Sequence, residues 1–303
     1  MKKSKNIMSV ILLSLIILTF SGVANAGIDL PQKTTFNCNT WTENYPSIIK
    51  PNCDGLEAIM WSNTNLHNQI TSSANYSAGN GGNGWRVWLN DGNNNNSDVY
   101  GFVFNTPQKE IWCRFYIRYQ IGFAWQGGSP YYHKVVYLYS SSGANGGFEW
   151  GHTGGSGRVN AWSNYDSTIP TSSGNVWESL FPNGKSDGSW HCWEFHAKMD
   201  TNSSNGVGEL WIDGVKQVSS STMNWSGGNA TVRSQGWTKF GLSINQHSPA
   251  NTVGIGSPAY VDFDDIAINN TGYIGPLFST IGSTPADNKA PAIPSSVEVT
   301  IKP

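Results

Sequence analysis

Charged side chains are scarce in this chain of 303 residues. Asp, Glu, Lys and Arg together make up 13% of the sequence, and three of its 18 basic residues are lysines within the first five positions. Without those lysines, 15 basic residues stand against 20 acidic ones. This negative balance leaves no broad basic surface for a phosphate backbone, so the composition argues against nucleic acid as a partner.

Long apolar runs are also rare, and the one that is present lies at the N-terminus. Apolar residues extend from Ile7 to Phe20 and are followed by Ala24-Asn25-Ala26, the small-x-small pattern of a signal-peptide cleavage site. We therefore predict a signal peptide over residues 1–26 and a secreted protein, extracellular or periplasmic. No later stretch reaches the roughly 18 apolar residues of a membrane helix, so we expect no membrane partner after cleavage, and a monomer.

Cysteine is limited to Cys38, Cys53, Cys113 and Cys192, without a CxxC pair or a Cys/His cluster. This spacing argues against a zinc site and against c-type haem attachment. In an oxidising compartment four cysteines allow three disulfide patterns. We favour Cys38–Cys53, which are close in sequence, and Cys113–Cys192 is then the remaining pair. Strand alternation places these last two on opposite faces of a sheet, so their pairing stays open.

Patterns typical of amphipathic helices are missing as well. The 34 glycines and Asn-rich stretches such as 91–98 predict turns, and the 38 aromatic residues can bury enough area to form a core. Strands are predicted at residues 85–89, 99–104, 111–121, 132–139, 148–151, 159–162, 190–199, 208–212, 238–244 and 260–268. The predicted fold class is all-β, an antiparallel β-sandwich.

This sandwich is predicted to be one domain over residues 27–278. Its first part, residues 27–60, is polar and lacks a clear period, so we expect it to be irregular. Ile212-Asp213-Gly214-Val215 predicts a tight hairpin turn. Residues 279–303 are rich in Pro and Ser, which is typical of a linker or tail.

Two of the predicted strands alternate between apolar and polar residues. The apolar sets, which predict the core faces, are Ile111, Cys113, Phe115, Ile117 and Tyr119 in one strand and Trp193, Phe195, Ala197 and Met199 in the other. The outward sets are Arg114, Tyr116, Arg118 and Gln120, and Glu194, His196 and Lys198. We expect the outward sets to share one face.

Three stretches share the pattern of a known superfamily. They are DGSWHCWEFHAKMDTNSSNGVGELWIDGV (187–215), YVDFDDIAI (260–268), and Arg114 to Trp125 followed by Tyr131-Tyr132-His133-Lys134. Together they resemble concanavalin A-like jelly rolls, in particular polysaccharide lyases such as glucuronan and alginate lyases and a fungal cellulose-induced secreted protein. The resemblance implies a jelly roll with a concave groove that accommodates a polysaccharide chain.

The resemblance also implies a chemistry, which is β-elimination across a uronic acid linkage. This reaction requires a group that neutralises the carboxylate, a base and an acid. From residue types suited to these tasks we predict the catalytic residues to be Arg118, His196, Lys134 and Tyr137. Predicted substrate-binding residues are Arg114, Tyr116, His133, Glu194, Lys198, Trp125 and Trp150. The sequence departs from the family because the Lys134 context, HKVVYLY, lacks a following Pro-Gly, and no clean Gln-x-His motif is present.

Other functions stay open beside the lyase hypothesis. A non-catalytic carbohydrate-binding protein and a surface adhesion module both suit the same fold. A glycoside hydrolase is less favoured, because it requires two carboxyl groups flanking the bond and the Glu-x-Asp-x-x-Glu strand is absent. Glu149, Glu178 or Glu209 could still meet Glu194 in space.

Five tryptophans lie in or beside Gly/Ser-rich segments: Trp125, Trp150, Trp162, Trp177 and Trp225. Exposed indole rings can stack on sugars. We expect at least one of the five to contact a glycan and the others to brace loops.

Asp262, Asp264 and Asp265 offer oxygen ligands near one strand. The resemblance implies a structural calcium ion there, with Asp264 or Asp265 as the ligand. Because calcium takes 6–8 oxygens, backbone carbonyls and Asp54 or Glu57 would have to complete the site.

Overall fold

The computed structural model describes residues 28–36, 41–43, 52–53, 56–61, 68–79, 82–89, 99–123, 131–153, 156–166, 172, 185–246 and 259–277. The strands in these residues are β1 (Gln32–Thr34), β2 (Trp41–Glu43), β3 (Asn52–Cys53), β4 (Leu56–Trp61), β5 (Asn68–Thr71), β6 (Gly84–Leu89), β7 (Val99–Gln108), β8 (Glu110–Tyr119), β9 (Tyr131–Ser140), β10 (Gly143–Thr153), β11 (Ser156–Ser163), β12 (His191–Lys198), β13 (Gly206–Ile212), β14 (Val215–Met223), β15 (Trp237–Gln246) and β16 (Ala259–Asn269). A 3-10 turn (Ser72–Ala74) and a short helix α1 (Ala230–Gln235) accompany them. The predicted signal peptide and tail lie outside the described residues.

The strands form two antiparallel sheets. The nine-stranded sheet has the order β14-β13-β12-β8-β16-β6-β5-β2, with β1 paired to β16, and the seven-stranded sheet has the order β11-β10-β9-β15-β7-β4-β3. Their inner faces pack together, since the ring of Phe195 on β12 lies 5.1 Å from that of Phe148 and 5.7 Å from that of Phe240 on the other sheet. The predicted antiparallel β-sandwich of jelly-roll type is confirmed.

Period-two alternation explains which residues form the core. In β8 Cys113 and Phe115 are fully buried between the sheets, and β12 places Phe195 and Trp193 directly beside them. Aromatic rings supply much of the buried area, which compensates for the low fraction of aliphatic residues. The predicted hairpin is also present, because Asp213 and Gly214 adopt φ values of 51° and 80° between β13 and β14, as a tight two-residue turn requires.

The expectation of an irregular segment at 27–60 is wrong, since β1 to β4 lie there. The reason is long-range pairing: β6 pairs with β16 only up to Phe263, and Thr34 of β1 continues the pairing at Ile266. Helix α1 was not predicted either. Its first turn is capped by the side chain of Asn229, which accepts hydrogen bonds from two backbone N–H groups.

The remaining disulfide pair is not formed. Cys113 and Cys192 are both buried free thiols. Cys113 lies opposite Phe195 on the core face, whereas Cys192 lies opposite Tyr116 and leaves the sheet on the other side. The Cys38 position and the side chain of Cys53 lie outside the described residues, so the Cys38–Cys53 disulfide stays a prediction. No helix in the described part of the chain combines the length and the apolar character needed to cross a membrane.

Candidate functional site

The polar residues indicated by the sequence lie on the outer faces of both sheets. We call the outer face of the seven-stranded sheet the lysine–tyrosine face, formed by Lys134, Tyr137, Tyr139, Glu149, Asn160, Trp162 and Lys239. We call the outer face of the nine-stranded sheet the arginine face, formed by Arg86, Arg114, Arg118, Glu194, His196, Asp262 and Asp264. The core lies between the two faces, so a ligand on one of them cannot contact the other.

Tyr137 lies on the lysine–tyrosine face because β9 alternates. Val136 and Leu138 are fully buried in the core, which directs Tyr137 outward. Its direct cross-strand partners are Gly147 on β10 and Gly241 on β15, which carry no side chains. A Cβ atom at Gly147 would lie 1.7 Å from the carbonyl oxygen of Val136, so this position requires glycine.

Lys134 extends along the same face toward the aromatic rings. Its Nζ atom lies 4.4 Å from the ring centroid of Trp162 and 5.8 Å from that of Tyr137. The two rings meet edge to face with centroids 5.5 Å apart. This places a cation–π-stabilised ammonium beside a phenol, two groups suited to bind and protonate an anionic sugar.

A buried carboxyl group adjoins this pair. Glu149 is 4% exposed, and the amide of Asn160 donates to its Oε1 atom at 3.4 Å. Burial raises the pKa of Glu149, while the amide bond and the charge of Lys134 oppose that shift. Asn160 Oδ1 and Trp162 Nε1 are buried and have no hydrogen-bond partner among the described residues. Such atoms can be satisfied by a bound polar ligand.

On the arginine face Asp262 joins two guanidinium groups. Its fully buried carboxylate accepts from Arg86 Nε at 2.7 Å and from Arg118 Nη2 at 2.5 Å. Both arginines also donate to the carbonyl oxygen of Ser73, at 3.3 and 2.7 Å. These bonds tie the turn after β5 to β6, β8 and β16, so Arg118 is part of an internal network.

Arg114, Tyr116 and Glu194 bind a segment of the chain itself, residues 274–277, which we call the C-terminal strap. Glu194 accepts hydrogen bonds from two backbone N–H groups of the strap at 2.6 and 2.7 Å, and Tyr116 accepts a third at 2.7 Å. Arg114 donates to a strap carbonyl at 3.2 Å and pairs with Asp265 at 2.6 Å. Burial raises the pKa of Tyr116 and that of Glu194. The strap thus covers three predicted substrate-binding residues.

His196 is held between two carboxylates. Its Nδ1 lies 2.7 Å from Glu209 and its Nε2 lies 2.8 Å from Glu110, while its ring stacks on Trp112 with centroids 3.8 Å apart. Lys198, which is exposed, pairs with Glu110 at 3.2 Å. The bond from His196 lowers the pKa of Glu209 to about 2. Because both ring nitrogens are bonded to carboxylates, neither is available to a substrate.

The structure therefore does not bring the four predicted catalytic residues together. Lys134 and Tyr137 share the lysine–tyrosine face, whereas Arg118 and His196 lie on the arginine face. Alternation correctly indicated that Arg118 and His196 point outward, but both sheets have an outer face, and alternation does not distinguish them.

The other predicted contacts are distributed in the same way. Arg114, Tyr116, Glu194 and Lys198 belong to the outer side of the nine-stranded sheet. His133 lies in β9 and Trp150 in β10, but their side chains, and the whole of Trp125, lie outside the described residues.

Trp225 is unavailable to a sugar. It is fully buried, donates from Nε1 to the carbonyl of Val207 at 2.9 Å, and meets Trp237 edge to face. Trp162 lies on the lysine–tyrosine face but is only 6% exposed, so the expectation that at least one of the five tryptophans contacts a glycan stays a prediction. Trp177 and Glu178 lie outside the described residues.

Sequence reasoning missed three members of the lysine–tyrosine face: Tyr139, Asn160 and Lys239. A signal was available for two of them. Tyr139 follows Tyr137 by two residues, and Lys239 precedes the buried Phe240, so both fall on the outward positions of alternating strands.

The aspartates proposed to bind calcium are already engaged. Asp264 accepts from the backbone N–H groups of Tyr76 and Asp265, both at 2.6 Å, and burial raises its pKa to about 8. Asp265 pairs with a guanidinium group. The described residues contain no group of three or more His, Cys, Asp or Glu side chains that could hold a metal ion. The described groups alone do not form a calcium site, and the side chains at 54 and 57 lie outside them, so calcium stays a prediction.

Comparisons with known proteins give likenesses of fold. No protein-family model matches the chain, and no curated protein matches it. Similar solved structures include a mutant of alginate lyase Aly36B in complex with alginate trisaccharide, with 11% identity, 62% of this chain and 81% of that chain covered, and a TM-score of 0.43. The cellulose-induced protein Cip1 has 15% identity, with 72% of this chain and 93% of that chain covered and a TM-score of 0.44. The botulinum neurotoxin serotype C1 binding domain has 12% identity, with 73% of this chain and 46% of that chain covered and a TM-score of 0.44. The first two are of the kinds that the sequence resemblance indicated, and at these identities the likeness concerns the fold alone.

Proposed function

We propose that this protein binds a uronic-acid-containing polysaccharide on the lysine–tyrosine face and cleaves it by β-elimination. The observation that carries the proposal is the meeting of Lys134, Tyr137 and Trp162 on one outer sheet face, next to the buried Glu149. An ammonium and a phenol are the groups that a charged sugar requires for charge neutralisation and proton transfer. The buried indole of Trp162 holds the ammonium in place by a cation–π contact.

Each residue has a role in the elimination. The Lys134 ammonium pairs with the C6 carboxylate, which stabilises the negative charge that develops when the C5 proton leaves. The C5–H electrons form the C4=C5 double bond, the C4–O4 bond breaks, and O4 takes up a proton. The Tyr137 oxygen takes up the C5 proton and delivers a proton to O4, so the proton lost from C5 is balanced at O4 and Tyr137 is unchanged at the end of the reaction. Glu149, which burial favours in its protonated form, can donate a further hydrogen bond to the carboxylate.

The arginine face is less suited to this reaction. Arg114 pairs with Asp265, and Arg118 pairs with Asp262. The backbone of the C-terminal strap occupies the polar groups of Glu194 and Tyr116. Binding a uronate there would require breaking buried charge-assisted hydrogen bonds, which are among the strongest in proteins.

The experiment that tests the proposal measures the ultraviolet absorbance of unsaturated uronate products. The protein is incubated with alginate, glucuronan, pectate and a neutral glucan. We expect a rise on one acidic polymer, a loss of about 100-fold or more in kcat in Tyr137→Phe, and a similar loss in Lys134→Ala. His196→Ala, on the opposite face, serves as the matched control and should retain activity if it folds. A rise that survives in Tyr137→Phe would contradict the assignment.

A non-catalytic carbohydrate-binding protein is the second candidate. The observation that favours it is the stacked pair of Tyr137 and Tyr139, with ring centroids 6.0 Å apart, which can contact sugars without chemistry. In that case all absorbance traces are flat, while affinity electrophoresis shows retardation on one polymer that Lys134→Ala abolishes.

A further inference from the structure

Glu149 is a buried carboxyl group whose charge is poorly compensated. It is 4% exposed, and the hydrogen bond that it accepts from Asn160 is 3.4 Å long, beyond the roughly 2.7–3.2 Å of an ordinary N–H···O bond. Glu194, which is also buried, accepts two backbone hydrogen bonds of 2.6 and 2.7 Å. Hydrogen bonds therefore stabilise the ionised form of Glu149 less than that of Glu194.

The positive charge closest in register to Glu149 is that of Lys134. In the described strands, the titratable and charged groups that face Glu149 are Lys134 and Tyr137 on β9 and Arg158 on β11. Its own strand adds none, because the same-face positions 147 and 151 are glycines. Arg158 is exposed, so water screens its charge. Lys134 is half-buried and is the direct cross-strand partner of Glu149.

A ligand on Lys134 changes the charge balance at Glu149. Burial raises the pKa of Glu149, and the charge of Lys134 acts in the opposite direction. A sugar carboxylate that pairs with Lys134 cancels this favourable charge and adds a negative charge close to Glu149. Both changes disfavour the ionised form of Glu149. Glu149 need not touch the sugar, because Coulomb interactions act beyond contact distance in a poorly solvated site.

We propose that binding of a uronate at Lys134 is coupled to the uptake of a proton by Glu149, so that the site binds acidic glycans more tightly as the pH falls. This inference rests on the proposed function and specifies how its site is regulated. By linkage, a ligand that makes a group take up a proton binds more tightly where protons are abundant. A neutral glucan brings no charge to Lys134, so its binding takes up no proton. The protein thus holds its acidic polymer in mildly acidic surroundings and releases it more readily at neutral pH.

The test is isothermal titration calorimetry with tetrasaccharides of alginate, glucuronan and pectate, between about pH 5 and 7.5, where a uronate stays ionised. The full chain carries Tyr137→Phe, which suppresses turnover. Titrations in two buffers with different ionisation enthalpies give the number of protons taken up on binding. The affinity should rise about tenfold from neutral to acidic pH. Uptake should reach roughly half a proton or more at its maximum, as linkage requires for a tenfold change.

The variant that isolates the coupling is Glu149→Gln, introduced in the same background. Because Gln resembles the protonated acid, this variant should bind with an affinity that does not change with pH and should take up no proton. At pH 7.5 it should bind about tenfold more tightly than its parent, whereas a purely structural role of Glu149 predicts weaker binding. Glu209→Gln, which removes a carboxylate on the arginine face, is the matched control and should keep the pH dependence of the parent.

Three results would overturn the coupling and leave the proposed function in place. They are uronate binding without proton uptake, proton uptake that persists in Glu149→Gln, and an equal pH dependence of binding to a neutral glucan. Failure of all three oligouronates to bind at any pH would overturn the coupling and the proposed function together. Thermal melts of each variant at both ends of the pH range verify that it is folded.

Discussion

Cys113 and Cys192 lie on neighbouring strands, but their side chains leave the sheet in opposite directions. Both thiols are buried, with Cys192 3% exposed and Cys113 fully covered. Burial raises the pKa of Cys113 well above its ordinary value and that of Cys192 to about 12. Since the thiolate is the reactive form, neither residue should react readily in the folded protein.

This predicts the thiol chemistry of the chain. Without reductant, alkylation of the native protein should label neither Cys113 nor Cys192, and alkylation in denaturant should label both. Peptide mass spectrometry identifies the labelled positions, and a Cys192→Ser variant provides the control for assignment. A peptide that contains the two cysteines joined to each other would contradict the free-thiol structure.

At the scale of elements, Asp262 acts as a clamp. One buried carboxylate holds the arginines of β6 and β8 and, through them, the turn that follows β5. Removing one partner of a buried ion pair leaves a charge without compensation, which costs more than the pair contributed.

Asp262→Ala should therefore destabilise the protein by about 3–5 kcal/mol in the free energy of unfolding, measured by urea denaturation. Arg118→Met, which leaves the Arg86 pair in place, should cost less. Asp187→Ala, at an exposed position, is the control for loss of one negative charge. A clamp role is contradicted if Asp262→Ala and Asp187→Ala unfold at the same urea concentration.

Alternation predicted most strands and the direction of their side chains, because it depends on residues two positions apart. It placed Phe115 and Phe195 in the core, and it placed Arg118 outside, all as observed. It did not assign β8 and β9 to different sheets, because that pairing joins residues far apart in sequence. For this reason the sequence predicted the kinds of side chain at the candidate site, but only two of the four predicted catalytic residues, Lys134 and Tyr137, lie there.

At the scale of the whole molecule, carboxyl groups respond to pH in two opposite ways. Burial raises the pKa of Glu149 and that of Glu194, so the folded state holds more protons than the unfolded chain as pH rises above about 4.3. Their contribution to stability is complete below that pH and is lost above it. The bond from His196 lowers the pKa of Glu209 to about 2, and that contribution is lost as pH falls from about 4.3 to about 2.

Stability should therefore be highest in mildly acidic solution and fall on both sides. Differential scanning calorimetry from acid to neutral pH measures the melting temperature along this profile. Glu209→Gln should reduce the loss of stability on the acid side, the acid limb of the profile, by ~1–2 kcal/mol, because solvent screens this partly exposed pair. Glu149→Gln should reduce the loss of stability on the neutral side, the neutral limb. Limbs that keep their slopes in the two variants would show that other groups control the profile.

The C-terminal strap has a practical consequence for handling the protein. Glu194 and Tyr116 hold its backbone on the arginine face, the side of the sandwich away from Lys134 and Tyr137. A chain that is cut after residue 277 and captured on a surface or bead by a tag at that position should thus present the lysine–tyrosine face to the solution. In that orientation the support does not block the lysine–tyrosine face, so long polymers can reach it.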